Sequence, residues 1–126
     1  TLGRLREWKL LNELNGKGII LTEPKGYIDF LKLLKESSCV LSDSGGVQIE
    51  TSFLNIPCIT LRRTTELKIT IEQGTNTLAE LIPTVVVEMV NKIAEGERKK
   101  SVKTPLWDGN ASERIAEEIE VYFKAR

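Results

Sequence analysis

Apolar residues recur at near-helical spacing from the start of the chain: Leu2, Leu5, Trp8, Leu10, Leu11 and Leu14. This pattern predicts one amphipathic helix, ended by Asn15-Gly16. Residues 18–21 form a short apolar run that reads as a strand. Glu23-Pro24-Lys25-Gly26 has strong turn chemistry. Residues 27–36 predict a helix with Phe30, Leu31, Leu33 and Leu34 mostly inward. Residues 39–41 read as a second strand, and a Gly45-Gly46 turn leads into a helix over 47–54. Asn55 suits a left-handed cap before Pro57, and residues 57–61 read as a third strand. A polar loop over 62–66 precedes one or two helical turns at 67–71. Residues 74–78 form a short fourth strand or a loop. Pro83 suits the first turn of a helix running to about residue 95. After a polar, turn-rich stretch over 96–109, residues 111–124 form a last helix with Ile115, Ile119, Tyr122 and Phe123 on one face. Asn110 is its expected N-cap, and Glu113 suits a capping box. Strands alternating with helices indicate a parallel α/β sheet.

Composition narrows the picture. The 126 residues suffice for one domain with a real core. Eighteen basic side chains balance 18 acidic ones, so no net charge draws the chain to nucleic acid or an anionic membrane. No apolar run approaches the length of a membrane span, and no signal peptide opens the sequence. Cys39 and Cys58 fall in strand-like runs and read as buried free thiols, which suits a cytoplasmic location. The chain contains no histidine, hence lacks the commonest general base and metal ligand. Nothing in the sequence suggests a catalytic triad, a metal cluster or a cofactor. The first residue is Thr1 rather than methionine, which fits a fragment or a processed chain.

Candidate chemistry concentrates at Ser42-Asp43-Ser44-Gly45-Gly46-Val47-Gln48-Ile49-Glu50. A strand, a glycine turn and a helix start make a natural phosphate site, because the first helical amides have no intrahelical acceptor. Ser44 adds a hydroxyl, and Gly45 and Gly46 let a phosphate approach the backbone. Glu50, one to two turns on, is placed to accept bonds from a ribose diol. The same residues also suit a plain strand-to-helix turn capped by Ser44 or Asp43. Trp8 and Trp107 read as packing residues.

Five ordered blocks resemble the non-hydrolysing UDP-N-acetylglucosamine 2-epimerases. The stretch 42–50 is similar to the family's T-D-S-G-G-[IV]-Q-x-E. Asn55-Ile56-Pro57-Cys58-Ile59-Thr60-Leu61-Arg62-Arg63-Thr64-Thr65-Glu66 is similar to its G-x-P-V-L-x-x-R-x-T-T-E. Glu23-Pro24-Lys25-Gly26-Tyr27-Ile28-Asp29-Phe30 resembles E-P-x-x-Y-x-x-F. Glu72-Gln73-Gly74-Thr75-Asn76 resembles E-x-G-T-N. Asp108-Gly109-Asn110-Ala111-Ser112-Glu113-Arg114-Ile115 resembles D-G-x-A-S-x-R-I.

The resemblance implies a three-layer Rossmann-like parallel sheet, an incomplete half of a GT-B two-domain enzyme. Residues 1–126 would be part of the C-terminal UDP-binding domain, with the N-terminal catalytic domain absent. It implies that Ser44, Gly45 and Gly46 hold the phosphates of UDP or a UDP-sugar, that Glu50 holds the ribose, and that Phe30 and Lys25 lie at the uracil. Arg62 belongs to the loop beyond the third strand. Many members follow T-T-E with Arg-Pro, whereas this chain has Leu67-Lys68. Leu67 carries no charge, and Lys68 lacks arginine's planar fork. The implied reaction inverts C2 of UDP-N-acetylglucosamine to give UDP-N-acetylmannosamine by eliminating and re-adding UDP. Its acid/base carboxylates come from the other domain, so this chain contributes no catalytic residue of its own and is expected to be inactive alone. Two alternatives remain: the equivalent half of a GT-B glycosyltransferase, and a non-enzymatic α/β binding module. The strand order of a Rossmann-like fold, 3-2-1-4-5-6, gives a further expectation. The strands near 18–22, 39–42, 57–61 and 75–78 correspond by resemblance to strands 3 to 6. With strands 1 and 2 missing, the 18–22 strand would pair directly with 39–42 in a four-stranded sheet, and homo-oligomers would cover exposed edges.

Overall fold

The computed structural model describes residues 2–15, 17–102 and 104–125, with nothing said of the side chain of Asn15. The chain divides into two compact units, Thr1–Phe30 and Leu31–Arg126.

In the first unit, the single opening helix is replaced by two short ones, α1 (Leu2–Glu7) and α2 (Leu11–Asn15). The break falls at Lys9, which adopts a left-handed φ of 57° that no helix accommodates. Trp8, expected to pack, is exposed. Gly16, half of the expected stop, lies outside the described residues. Residues 18–22 form no strand: Gly18 sits in a turn with φ of 72°, and Ile20 is 85% exposed. The apolar run therefore has strand-like composition without a ladder to join. Helix α3 (Tyr27–Glu36) begins where expected and carries the chain into the second unit. Leu34 is buried and Leu31 half-buried on α3, but Leu33 is exposed, contrary to its expected inward position.

The second unit is built on three parallel strands, β1 (Val40–Ser42), β2 (Cys58–Thr60) and β3 (Asn76–Leu78), in the order β1-β2-β3. The expected four-stranded sheet is thus not formed. Pairing joins Val40 to Cys58 and Cys58 to Asn76, with Ser42, Thr60 and Leu78 aligned at the other end. Helix α4 (Gly45–Leu54) links β1 to β2 and touches all three strands. It stops at Asn55, whose φ of 57° and ψ of 40° are the left-handed cap the sequence predicts. Short α5 (Lys68–Glu72) packs beside it on β3. Side chains alternate across a strand, so Ile59 and Thr77 face the other side. There they share a cleft of 250 Å³ with Met89 and Ile93 of α6 (Pro83–Ala94). The resulting layers, α4 and α5 on one face and α6 on the other, are the Rossmann-like arrangement expected.

The layer under α4 is held by polar groups. Asn76 Nδ2 donates to the Gln48 carbonyl at 2.9 Å and to Ser52 Oγ at 2.7 Å, while its Oδ1 accepts from Thr60 Oγ1 at 3.0 Å. Thr75 Oγ1 donates to the Ile56 carbonyl at 2.6 Å. Gln48, Thr51, Ser52, Thr60, Thr70, Thr75 and Asn76 are all buried. Gly74 makes this possible, since a Cβ there would lie 2.2 Å from Ser52 Oγ and 2.5 Å from the Thr70 carbonyl oxygen. The segment beyond α6 is strapped back: Lys99 Nζ donates to the carbonyls of Ile71 and Asn76, Ser101 N to Asn55 Oδ1 and Val102 N to Gln73 O.

Helix α7 (Ala111–Lys124) spans the expected residues, but Asn110 makes no side-chain cap bond and the capping box is not formed. Asp108 supplies the turn instead. Its Oδ1 accepts the Asn110 amide at 3.0 Å, and Arg114 Nη1 reaches both its oxygens at 3.0 and 2.9 Å. Arg114 Nη2 also donates to the Leu106 carbonyl at 3.0 Å. Ile115, Ile119, Tyr122 and Phe123 line an open apolar groove with Pro105 and Leu106 and remain largely exposed.

Two predictions follow from this packing. Gly74→Ala forces Ser52 or the Thr70 backbone to move and should cost about 1–3 kcal/mol in thermal or urea unfolding. Gly26→Ala, with nothing within 4 Å, should be near neutral. Equal melting points for the two variants would contradict the packing described. Separately, the Arg114 guanidinium, with help from the Asn110 amide, holds the Asp108 carboxyl at about 2 instead of its ordinary 3.8. A depressed carboxyl stabilises the fold above its unfolded value and loses that contribution as pH falls from near 4 toward 2. Carbon-detected NMR should show Arg114→Ala moving the Asp108 titration back toward 3.8; an unmoved titration would remove the pair as its cause.

Candidate functional site

The carboxyl ends of the strands are where open α/β sheets take ligands. At the end of β1, the Ser44 amide donates to Ser42 Oγ at 3.1 Å, which turns the chain sharply out of the strand. Ser44 occupies the N-cap position of α4 with φ −80° and ψ 128°, yet its side chain makes no cap bond. The plain capped-turn reading therefore fails for Ser44, and Asp43 makes no cap bond in its place. The intrahelical ladder starts with the Gln48 amide on the Ser44 carbonyl at 3.2 Å. The amides of Gly45, Gly46 and Val47 consequently have no acceptor among the described residues. Three free N–H groups at the positive end of a ten-residue helix form an anion-binding surface.

Side chains extend that surface in one direction. A Cβ on Gly46 would lie 3.8 Å from Ser44 Oγ, so the free hydroxyl stands beside Gly46. Glu50 is four residues beyond Gly46, hence one turn down the same face. It is half-buried and makes no hydrogen bond or ion pair among the described residues. Ser44, Gly45, Gly46 and Glu50 thus lie along the first turns of α4.

The loop after β2 supplies a second wall. Leu67 Cδ1 lies 3.4 Å from the position of a Cβ on Gly45, and Glu66 Oε1 lies 3.6 Å from it. Glu66 Oε2 pairs with Arg62 Nη1 at 3.3 Å. Arg62, a sequence candidate, is therefore on the loop that meets the glycine turn but is engaged by Glu66. Lys68 is exposed at the start of α5. Arg63 turns toward Glu80, 4.0 Å away, and with Arg62, Leu61 and Ile82 lines a cleft of 270 Å³ beyond β2. Lys25, exposed in the loop before α3, and Phe30, half-buried on α3, belong to the first unit.

Sequence reading missed the residues that fix this geometry: Gln48, Thr65, Thr70 and Asn76. Gln48 Oε1 accepts from Thr65 Oγ1 at 2.9 Å, and Thr70 Oγ1 lies 3.3 Å from it. Their signal was present, since Gln48, Thr65 and Asn76 sit in three of the motif blocks without any assigned ligand role. Burial pushes the Cys39 and Cys58 thiols up, which disfavours the nucleophilic thiolate. Among the described residues no three His, Cys, Asp or Glu side chains gather as a metal site.

A family model described as UDP-N-acetylglucosamine 2-epimerase matches residues 3–120. A UDP-N-acetylglucosamine 2-epimerase of Methanocaldococcus jannaschii is 42% identical over 121 residues, covering 91% of this chain and 31% of the relative. One from Methanococcus maripaludis is 37% identical over 116 residues, again covering 91% of this chain and 31% of the relative. The crystal structure of the M. jannaschii enzyme in complex with UDP-GlcNAc and UDP is similar with a TM-score of 0.80 at 37% identity, over 96% of this chain and 33% of that one. The chain thus spans about a third of the length of the relatives it matches.

The free amides give a direct expectation. Inorganic pyrophosphate should move the amide proton resonances of Gly45, Gly46 and Val47 downfield and leave that of Gln48, already bonded to Ser44, nearly in place. Shifts centred instead on Arg63 and Glu80 would put the anion in the neighbouring cleft.

Proposed function

The chain belongs to the UDP-N-acetylglucosamine 2-epimerase family, and on that premise we propose that it forms the UDP-holding part of an enzyme interconverting UDP-N-acetylglucosamine and UDP-N-acetylmannosamine. The observation that carries this reading is the row of three amides that, like Glu50 one turn below, have no partner among the described residues, with Ser44 Oγ beside them. That spacing suits a diphosphate at the helix end and a ribose diol at the carboxylate. Gly45 and Gly46 keep side chains away from the phosphate oxygens. Arg62 and Lys68 supply positive charge, Arg62 by swinging from Glu66 toward the bound anion.

In the proposed reaction UDP leaves the sugar, the C2 proton is exchanged, and UDP adds back. Negative charge builds on the pyrophosphate as the bond to the sugar breaks. Amides already aimed at that position stabilise the charge without reorganising, which lowers the barrier to elimination. The carboxylates that move the C2 proton belong to a facing N-terminal domain, the partner with which this part works in the cytoplasm. Leu67 replaces a charged contact with an apolar one, so retention of UDP rests more heavily on the helix end here than in members with Arg-Pro.

Titration with UDP and with pyrophosphate tests the assignment. In an open site each hydrogen bond nets about 1 kcal/mol, so a few of them predict a dissociation constant on the order of 1 mM for UDP. Glu50→Ala should weaken UDP and spare pyrophosphate, which has no ribose. Equal losses for both ligands would remove Glu50 from the ribose site, and absence of UDP binding at tens of millimolar would remove the proposal.

A further inference from the structure

We infer that Gln48 is a positioning residue for the diphosphate site, clamping the 62–67 loop onto the first turn of α4 through Thr65. The inference rests on the UDP-binding reading above and concerns atoms that do not face the ligand. Gln48 is the fourth residue of α4 and is fully buried. It stands two positions from Glu50, so the two side chains leave the helix on roughly opposite sides. Glu50 looks toward the ligand and Gln48 toward the protein.

One amide oxygen does the clamping. Gln48 Oε1 accepts the Thr65 hydroxyl at 2.9 Å. Thr70 Oγ1 lies 3.3 Å from the same oxygen and 2.8 Å from the Leu67 carbonyl oxygen, sharing its proton between them. Thr65 Oγ1 in turn accepts the Leu67 amide at 3.1 Å. The loop is therefore gripped immediately before Leu67 and again at the start of α5. The Gln48 main-chain carbonyl takes Asn76 Nδ2, which fixes the helix end of the clamp to β3.

The grip decides what lies over the free amides. Leu67 is brought against Gly45 and the Glu66 carboxylate beside it, with Arg62 drawn along by its ion pair. An anionic Glu66 beside the helix end opposes a phosphate, whereas Arg62 favours it. The balance depends on where the loop is held to within an ångström or so. Stability alone does not account for Gln48, since its Nε2 is buried with no hydrogen-bond partner among the described residues. A buried donor left unsatisfied costs free energy that an apolar residue of similar volume would not.

The test uses Thr65→Val, which keeps the shape and removes the hydroxyl, Thr65→Ser, which keeps the hydroxyl, and Gln48→Met as an independent break. Melting temperature, dissociation constants for UDP and pyrophosphate, and the ligand-free amide shifts of Gly45 and Gly46 are measured for each. Thr65→Val and Gln48→Met should weaken UDP and pyrophosphate alike by about fivefold, the equivalent of one net hydrogen bond. Both should move the ligand-free Gly45 and Gly46 resonances, and Thr65→Ser should restore wild-type binding. Lower melting temperatures with unchanged dissociation constants would reduce the clamp to a structural role and overturn the inference. If wild-type protein binds neither ligand, the UDP-binding reading fails, and the ligand-free shifts still decide whether the clamp sets the turn.

Discussion

One buried asparagine ties helix α4 to the parallel sheet. Asn76 opens β3, yet its side chain bonds the Gln48 carbonyl and Ser52 of α4 and receives Thr60 of β2. An amide in that position satisfies groups on two other elements at once, and buried polar groups are costly unless so satisfied. The constraint runs backward to Gly74, where any side chain would collide with Ser52. It runs forward to α4, whose angle to the sheet decides where its first three amides point. A parallel sheet of only three strands, each three residues long, offers little apolar area to do this work. The helix is held to the sheet by directional bonds.

The arrangement separates two tasks along α4. One side of the helix is anchored through Gln48, Thr51 and Ser52, all buried. The other carries Gly46 and Glu50 toward solvent. Because the anchored side fixes the helix, the free amides are oriented before any anion arrives, and preorganised donors stabilise charge without a reorganisation cost. The loop from Arg62 to Leu67 closes the picture by bringing one cation, one anion and one apolar side chain to the same helix end. Leu67 brings no charge to that wall, so the unpaired amides are the donors nearest the glycine turn.

The features legible in the sequence are those with local causes. Asn55 before Ile56-Pro57 signalled the left-handed stop of α4, apolar spacing marked α3 and α7, and Pro83 marked the start of α6, each to within a residue or two. The glycine turn was legible because strand, hydroxyls, glycines and helix follow one another directly. The buried polar layer was hidden, since Gln48, Thr70 and Asn76 look like surface residues until three distant segments meet. Residues 18–22 misled in the opposite sense: Ile19, Ile20 and Leu21 favour a strand, but strand formation needs a neighbouring ladder, and composition cannot supply one. The exposed Leu33 and the uncapped Asn110 show the same limit, where tertiary surroundings decide what periodicity and capping statistics suggest.

The proposed role of α4 is to hold a nucleoside diphosphate with the backbone of its first turn. A crystal structure of this chain with UDP is the most direct measurement. Pyrophosphate oxygens are expected within about 3 Å of the Gly45, Gly46 and Val47 nitrogens, with Ser44 Oγ beside them and the ribose hydroxyls on the Glu50 carboxylate. UDP seated in the Arg62–Arg63 cleft or along the apolar groove of α7, with those three amides still unoccupied, would contradict it.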